Sequence, residues 1–376
     1  MRGSLREESP GRWRVQASGG FDEFTGRRRR VVRRVRGTRK DAERELTRVL
    51  RDLDDGTWAD PGRTTLGQYL ERRWLPHAAT RVRLKTWTRY EGLLRLHVIP
   101  RIGRVKLSKL RPAHIQAALD AMLAAGQSAA STAQAYRVLA AALRQAVRWQ
   151  VLATNPAAGV SPPRPGTPTL HVPEAKDVRT ILDVARGHVA YVPLVLAAAC
   201  GMRRGEVLAV RWRDVDLAAA KLRVVASLQR VRGELRFESP KTDRSRRTIS
   251  LPPFTVDVLK RHRKEQVERR LLVGEAWADL DLVVDRGDGK PLDPDTFTQM
   301  FGRQVKRAGL PRMRLHDLRH AYATELLRAG VHPKVVSEAL GHANVAFTMN
   351  VYQHVLPTMG ERAAAAIETA LGGRST

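Results

Sequence analysis

The stretch SPPRPGTPT, Ser161–Thr169, limits the folds open to this chain more than any other feature. Each proline removes a backbone donor and fixes φ, so no helix interior or sheet ladder runs through it. The segment reads as a stiff, extended linker over residues 161–172. Apolar residues must therefore be buried separately on its two sides. A chain of 376 residues has room for two or three domains of ordinary size.

Before the linker, two patterns follow each other. Residues 1–60 form a small basic unit. WRVQASGG and RRRRVVRRVRGT read as short strands joined through Gly-rich turns. TRKDAERELTRVLRDLDDG reads as a helix capped by Thr38, with Asp41 as a partial capping box. Ala42, Leu46, Val49, Leu50 and Leu53 fall on one face of it, and Gly56 ends it. A helix backing a short sheet leaves the outer face of the sheet free. That face is expected to carry Arg27, Arg28, Arg29, Arg30, Arg33, Arg34 and Arg36. The alternative is a disordered basic tail; the apolar stripe beside the charges favours a folded unit.

Residues 64–160 read as four helices. TTLGQYLERRWL begins at a Thr cap, and KTWTRYEGLLRLH spaces Trp87, Tyr90 and Leu94 by threes and fours. Pro112 opens the third helix, with Ile115, Leu119, Met122 and Leu123 inward and Gly126 at its end. The fourth runs from Ser131 to Trp149, and Asn155–Pro156 stops the pattern.

Residues 173–376 form the largest unit. Helices are expected at PEAKDVRTILDVA, Tyr191–Cys200, Pro253–Arg270, Asp295–Ala308, Leu318–Ala329, Pro333–Leu340 and Arg362–Leu371. Strands are expected at KLRVVAS, LRFES and RRTISL. The expected fold class is multidomain: a small β-sheet plus helix N-terminal domain, an all-α domain, and an α+β, mostly helical C-terminal domain.

The net charge is +29, an excess of cation that repels itself unless a polyanion is near. Nucleic acid is the first candidate and an anionic membrane surface the second. Arginine dominates, and its planar fork suits phosphate. Aromatics make up only 5%, against single-strand binding by base stacking. The single cysteine, Cys200, forbids an intrachain disulfide and suits a reducing compartment. The N-terminal residues lack an apolar run, which predicts no signal peptide. The apolar run YVPLVLAAAC is too short for a bilayer and reads as a core helix.

HDLRH, His316–His320, sets two histidines four apart with an arginine between them. On a helix the pair shares a face, as zinc ligands often do. A structural zinc site needs about four N or S ligands, and the one cysteine lies far off in sequence. A packed, capping histidine pair and a phosphate-gripping site remain. Elsewhere GMRRGE places Arg203 and Arg204 after a glycine and before Glu206, a carboxylate able to fix a guanidinium. SPKTDRSRRTISL puts Lys241 beside a turn between two strands. LGHANVAFTMNVYQHV holds His342 and, ten residues on, Tyr352.

Taken in order, GMRRGE, PKTDRSRRTI, HDLRHAYATELLRAG and LGHANVAFTMNVYQHV resemble the tyrosine recombinase, or phage integrase, family. Residues 64–160 resemble that family's core-site-binding domain, residues 1–60 the arm-site-binding domain of its larger members, and 173–376 its catalytic domain. The resemblance implies cutting and rejoining of DNA through a 3′-phosphotyrosyl intermediate, with no metal and no cofactor. It implies Tyr352 as nucleophile, Arg203 and Arg319 on the nonbridging oxygens, and His316 as acid–base group. It further implies Lys241 as general acid, His342 as a hydrogen-bond donor and Glu206 as support for Arg203; the motif register favours Arg203 over Arg204. Asp317 and His320 read as structural and Cys200 as core. The implied partners are double-stranded DNA at core-type and arm-type sites, a homotetramer on that DNA and accessory bending or excision factors, with no membrane. The implied place is the bacterial cytoplasm and nucleoid. The tail helix, with Ala364, Ile367 and Leu371 on one side, would dock on a neighbouring protomer or pack at home. A type IB topoisomerase-like relaxing enzyme and a non-catalytic architectural protein are the alternatives.

Overall fold

The computed structural model describes residues 3–21, 28–54, 64–166, 172–239, 246–341 and, near the C-terminus, 364, 367–369 and 371. It divides into two compact units, Met1–Pro168 and Thr169–Thr376.

The first unit opens with β1 (Gly3–Ser9), β2 (Arg12–Phe21) and β3 (Arg28–Arg36), an antiparallel sheet in that order, and α1 (Arg39–Asp54) lies against it. Strand β1 was not expected. Its sequence GSLREES has one apolar residue, so no alternation marks it; pairing with β2 defines it. The cap of α1 forms: the Asp41 carboxylate accepts the Thr38 N–H at 2.9 Å, and the Asp41 N–H donates to Thr38 Oγ1 at 3.3 Å. Ala17, Val31 and Val49 make the core, with Leu46 and Leu50 against it.

The expected arginine face needs correction. Successive strand residues point to opposite faces, so Arg33 and Arg34 cannot share one. Val31 is buried and Val32 exposed. Arg33 therefore faces α1, where its Nε lies 3.8 Å from Glu45 Oε1. Arg34 and Arg36 point outward. Arg27 and Gly56 lie outside the described residues, as do the side chains of Arg28, Arg29, Arg30 and Leu53.

Four helical rods follow. The first joins α2 (Leu66–Tyr69) to α3 (Leu75–Ala79) through a π-helical turn, Leu70–Trp74. The second joins α4 (Leu84–Leu93) to α5 (Ile99–Ile102) through another, Leu94–Val98. Then come α6 (Pro112–Ala124) and α7 (Ala129–Arg148). Thr65 and Gln68 form a full capping box on α2, a cap worth about 1 kcal/mol. Tyr69 is fully buried and donates its hydroxyl to the Ala142 carbonyl at 2.8 Å, so its polar end is satisfied. Leu123 is 37% exposed, contrary to expectation; Met122, also expected inward, is fully buried. Ser128 caps α7, which starts two residues before the expected Ser131.

The second unit runs through α8 (Ala175–Ala185), α9 (Tyr191–Ala199), α10 (Arg204–Val207), β4 (Val215–Asp216), β5 (Lys221–Val224), β6 (Ser227–Val231), β7 (Glu234–Glu238), β8 (Arg247–Ser250), α11 (Pro253–Val273), α12 (Pro294–Arg307), α13 (Leu315–Arg328) and α14 (Pro333–Leu340). Strands β4, β5 and β8 form one antiparallel sheet in that order, and β6–β7 a separate hairpin. The expected strand KLRVVAS divides between β5 and the start of β6. The core gathers around α9, where Val192–Ala197 are all buried. Both α13 and α10 pack on α9, and α14 packs on β8. Helix α13 begins at Leu315, three residues before the expected start, because Asp317 accepts the Arg314 N–H at 2.7 Å and caps it. Of the tail helix, Ile367 and Leu371 are exposed. Among the described residues no helix is long and apolar enough to cross a membrane.

Candidate active site

The site begins where α9 ends. Gly201 has φ +58°, and a Cβ there would run into the Tyr322 ring, so only glycine makes this turn. The turn delivers Arg203 to the N-cap of α10 in extended conformation. Glu206, 5% exposed, holds it twice: Oε1 accepts from Arg203 Nη1 at 2.7 Å, and Oε2 from the Arg203 N–H at 3.0 Å. Arg247 on β8 donates Nη2 to the same Oε2 at 2.9 Å. Burial alone would raise the Glu206 carboxyl, but Arg247 and then Arg203 outweigh it and hold it below the ordinary carboxylate range. The Glu206 carboxylate stays charged between two guanidinium groups.

Arg319, on α13 and 2% exposed, donates Nη1 to the Gly201 carbonyl at 2.6 Å and Nη2 to the Leu340 carbonyl. The carbonyls beside Leu340 are held as well. Gly341 O accepts from Arg203 Nη2 at 3.2 Å, and Ala339 O from Arg247 Nε at 2.7 Å. Three arginines from three elements thus grip three consecutive carbonyls at the C-terminal end of α14. Such carbonyls have no intrahelical partner and carry the negative end of the helix dipole, so cations suit them. Gly341, left-handed at φ +65°, ends the helix. His342 follows it in sequence. His342, Lys241 and Tyr352 lie outside the described residues.

Arg204 points elsewhere. Its Nη1 donates to the Pro294 carbonyl at 3.1 Å, to Asp295 Oδ1 at 3.1 Å and to Thr298 Oγ1 at 2.7 Å. Adjacent in sequence, Arg203 and Arg204 serve different places.

His316 lies in the first turn of α13, with its side chain open to solvent. Its ring meets His320 edge to face, centroids 4.9 Å apart. Surrounding protein, then the charges of His320, Arg319 and Arg203, pushes its pKa down to about 4, while Asp317 works weakly the other way. The imidazole is therefore neutral at pH 7, with a nitrogen lone pair free of a proton. In the DNA-free protein, the His316 ring signals in an NMR titration should keep their neutral positions down through pH 6; a midpoint at 6.5 or above would contradict this environment. His320 is buried, and burial also lowers its pKa. Among the described residues no group of three His, Cys, Asp or Glu side chains could hold a metal ion. Cys200 is buried, which pushes its thiol up to about 12, so it is protonated at pH 7.

Arg247 was not singled out from the sequence. The signal was there: on β8 it shares a face with buried Ile249, and a charged residue on an inward strand face needs a partner. A second feature was also missed. On the outer face of the N-terminal sheet, Arg6 pairs with Arg14 and Arg14 with Arg34, so three arginines stand abreast across three strands. Like charges directly opposite destabilise a sheet. Glu8 offsets part of this, lying 2.9 Å from Arg34 Nε and 3.9 Å from Arg14 Nη1.

Two anchored guanidinium groups stand near an imidazole held neutral, a set of side chains chemically suited to an anionic phosphate diester. Residues 173–359 match the phage integrase family, and residues 65–123 match the N-terminal SAM-like domain of phage integrases. An integrase of Streptomyces ambofaciens is 30% identical over 366 residues, covering 92% of this chain and 90% of that protein. A tyrosine recombinase XerC-like protein of Caldanaerobacter subterraneus subsp. tengcongensis is 29% identical, over 85% of this chain and 87% of that one. Among solved structures, the Tn1549 transposon integrase in complex with transposon right end DNA aligns with TM-score 0.68 at 21% identity, over 82% of this chain and 100% of that one. A lambda integrase dimer bound to a core site aligns with TM-score 0.59 at 19% identity, over 92% and 93%. The chain belongs to the phage integrase family of tyrosine recombinases.

Proposed function

We propose that this protein is a site-specific DNA recombinase that integrates or excises a mobile element by cutting and rejoining duplex DNA. The observation that carries the reading is the convergence of Arg203 and Arg319 on adjacent carbonyls, Gly341 and Leu340, immediately before His342. There the two forks bind the nonbridging oxygens of the scissile phosphate and offset the charge that grows as it is attacked. Tyr352 is the nucleophile. A free phenol has a pKa of about 10, so it needs a proton acceptor, and neutral His316 takes that proton. The phenolic oxygen bonds to phosphorus, the bond to the 5′ oxygen breaks, and Lys241 gives that oxygen its proton. His342 donates to a nonbridging oxygen, and Glu206 orients Arg203. The 3′-phosphotyrosyl link preserves the ester's energy, so a 5′ hydroxyl from a partner strand reverses the step. Neither nucleotide hydrolysis nor a metal ion has a part in this sequence.

Duplex DNA at paired core sites is the substrate, and four protomers act on it. The Arg6–Arg14–Arg34 row binds a second, arm-type site; DNA phosphates relieve the repulsion within the row. Accessory bending or excision factors act with the tetramer, in the bacterial nucleoid. The test is a plasmid carrying two candidate attachment sites, chosen by searching the DNA that flanks the gene for direct repeats. Crossover products should form in buffer containing EDTA. Relaxation of supercoils without crossover products would point instead to a topoisomerase-like enzyme.

A further inference from the structure

We propose that Arg247 is a positioning residue for strand cleavage: it locks the Arg203 clamp to the end of α14. The inference rests on the recombinase reading above. The Arg247 side chain is only 6% exposed and is turned into the protein, toward Glu206 and the end of α14. Like Arg203, it ties Glu206 to the end of α14, and it does so from a further element, β8. Its Nη2 donates to Glu206, the carboxylate that fixes Arg203, and its Nε donates to the Ala339 carbonyl on α14. Arg203 Nη2 then meets Gly341 O, two residues along the same helix end. A closed loop of contacts results, running from Arg247 through Glu206 and Arg203 to Gly341 and back along the backbone to Ala339. Cut at Arg247, the loop leaves Glu206 buried with one guanidinium in place of two. Arg203 and the end of α14 then lose their common reference. The requirement is for arginine rather than for charge. A planar fork donates along two divergent directions at once, whereas a lysine ammonium is a single point on a flexible stem.

The test uses the whole 376-residue chain and a nicked suicide duplex carrying a core site that the parent cleaves. Two substrates are compared, one with the natural scissile phosphate and one with an uncharged methylphosphonate there. Removing the charge removes the need for the arginine clamp. Arg203→Ala should therefore lose less on the methylphosphonate than on the phosphate. Arg247→Met should bind the duplex as the parent does and cleave the phosphate about 10- to 100-fold more slowly, the usual size for a residue supporting a catalytic group. Most of that loss should vanish on the methylphosphonate, and the Arg203→Ala/Arg247→Met double variant should be no slower than Arg203→Ala alone. Equal losses on both substrates, or additive losses in the double variant, would mean a general loosening of the fold and overturn the proposal. If Arg247→Met melts below the assay temperature, Arg247→Lys decides, since it keeps the buried charge; parental cleavage by that variant also overturns the proposal. The two readings fail separately. A harmless Arg203→Ala sinks the clamp itself, whereas a crippled Arg203→Ala beside a harmless Arg247→Met sinks only the inference about Arg247.

Discussion

Tyr352→Phe should bind core-site DNA with parental affinity and form no covalent protein–DNA adduct on a denaturing gel. The substitution removes one oxygen, the atom that would become bonded to phosphorus, and leaves the ring. Cleavage should fall on the order of 10⁶-fold, the loss that follows removal of a covalent nucleophile. Binding should survive because charge, not the phenol, holds the duplex: the chain carries a net +29. An adduct formed by the Phe variant would show that another side chain is the nucleophile, and His316 would then have no phenol to deprotonate.

Arg203→Ala and Arg204→Ala should differ sharply although the two residues are adjacent. Arg203 shares the helix-end grip with Arg319 and is held by Glu206 at 2.7 Å. Losing one such preorganised donor costs about 3–4 kcal/mol of transition-state stabilisation, so cleavage should fall about 10²- to 10³-fold. Arg204 spends its guanidinium on Pro294, Asp295 and Thr298 of α12. Its loss should lower the melting temperature through missing hydrogen bonds, each worth about 1 kcal/mol, with cleavage below the melt little changed. Single-turnover cleavage of a suicide substrate at several temperatures separates the two effects. A defect in Arg204→Ala as deep as that of Arg203→Ala would place both arginines at the phosphate.

The helices were legible wherever one stripe of apolar residues met a cap. Thr38 with Asp41, Thr65 with Gln68 and Pro112 act within four residues, so the local sequence contains the whole interaction. Legibility failed where the partner is distant. Strand β1 has no alternation of its own and exists because β2 pairs with it. Leu123 and Met122 are equally apolar, and only the surrounding helices decide which of them is buried. The shared face predicted for Arg33 and Arg34 overlooked the pleat, which sends neighbours to opposite sides. In the site, Arg203, Glu206 and Arg319 could be picked out by motif. For Arg247 the strand alternation offered only a hint that it faces inward; its task is defined by Glu206 and by the carbonyl of Ala339, 41 and 92 residues away.

By itself the amino-acid order determined the charge, the proline break near residue 165, the helical periodicity and the family motifs, since these depend only on residue type and spacing. The tertiary structure alone decided that Arg204 turns to α12, and that three arginines from separate elements close on one helix end. Direction in space is set by packing against chain segments far off in sequence, and spacing along the chain carries no record of it.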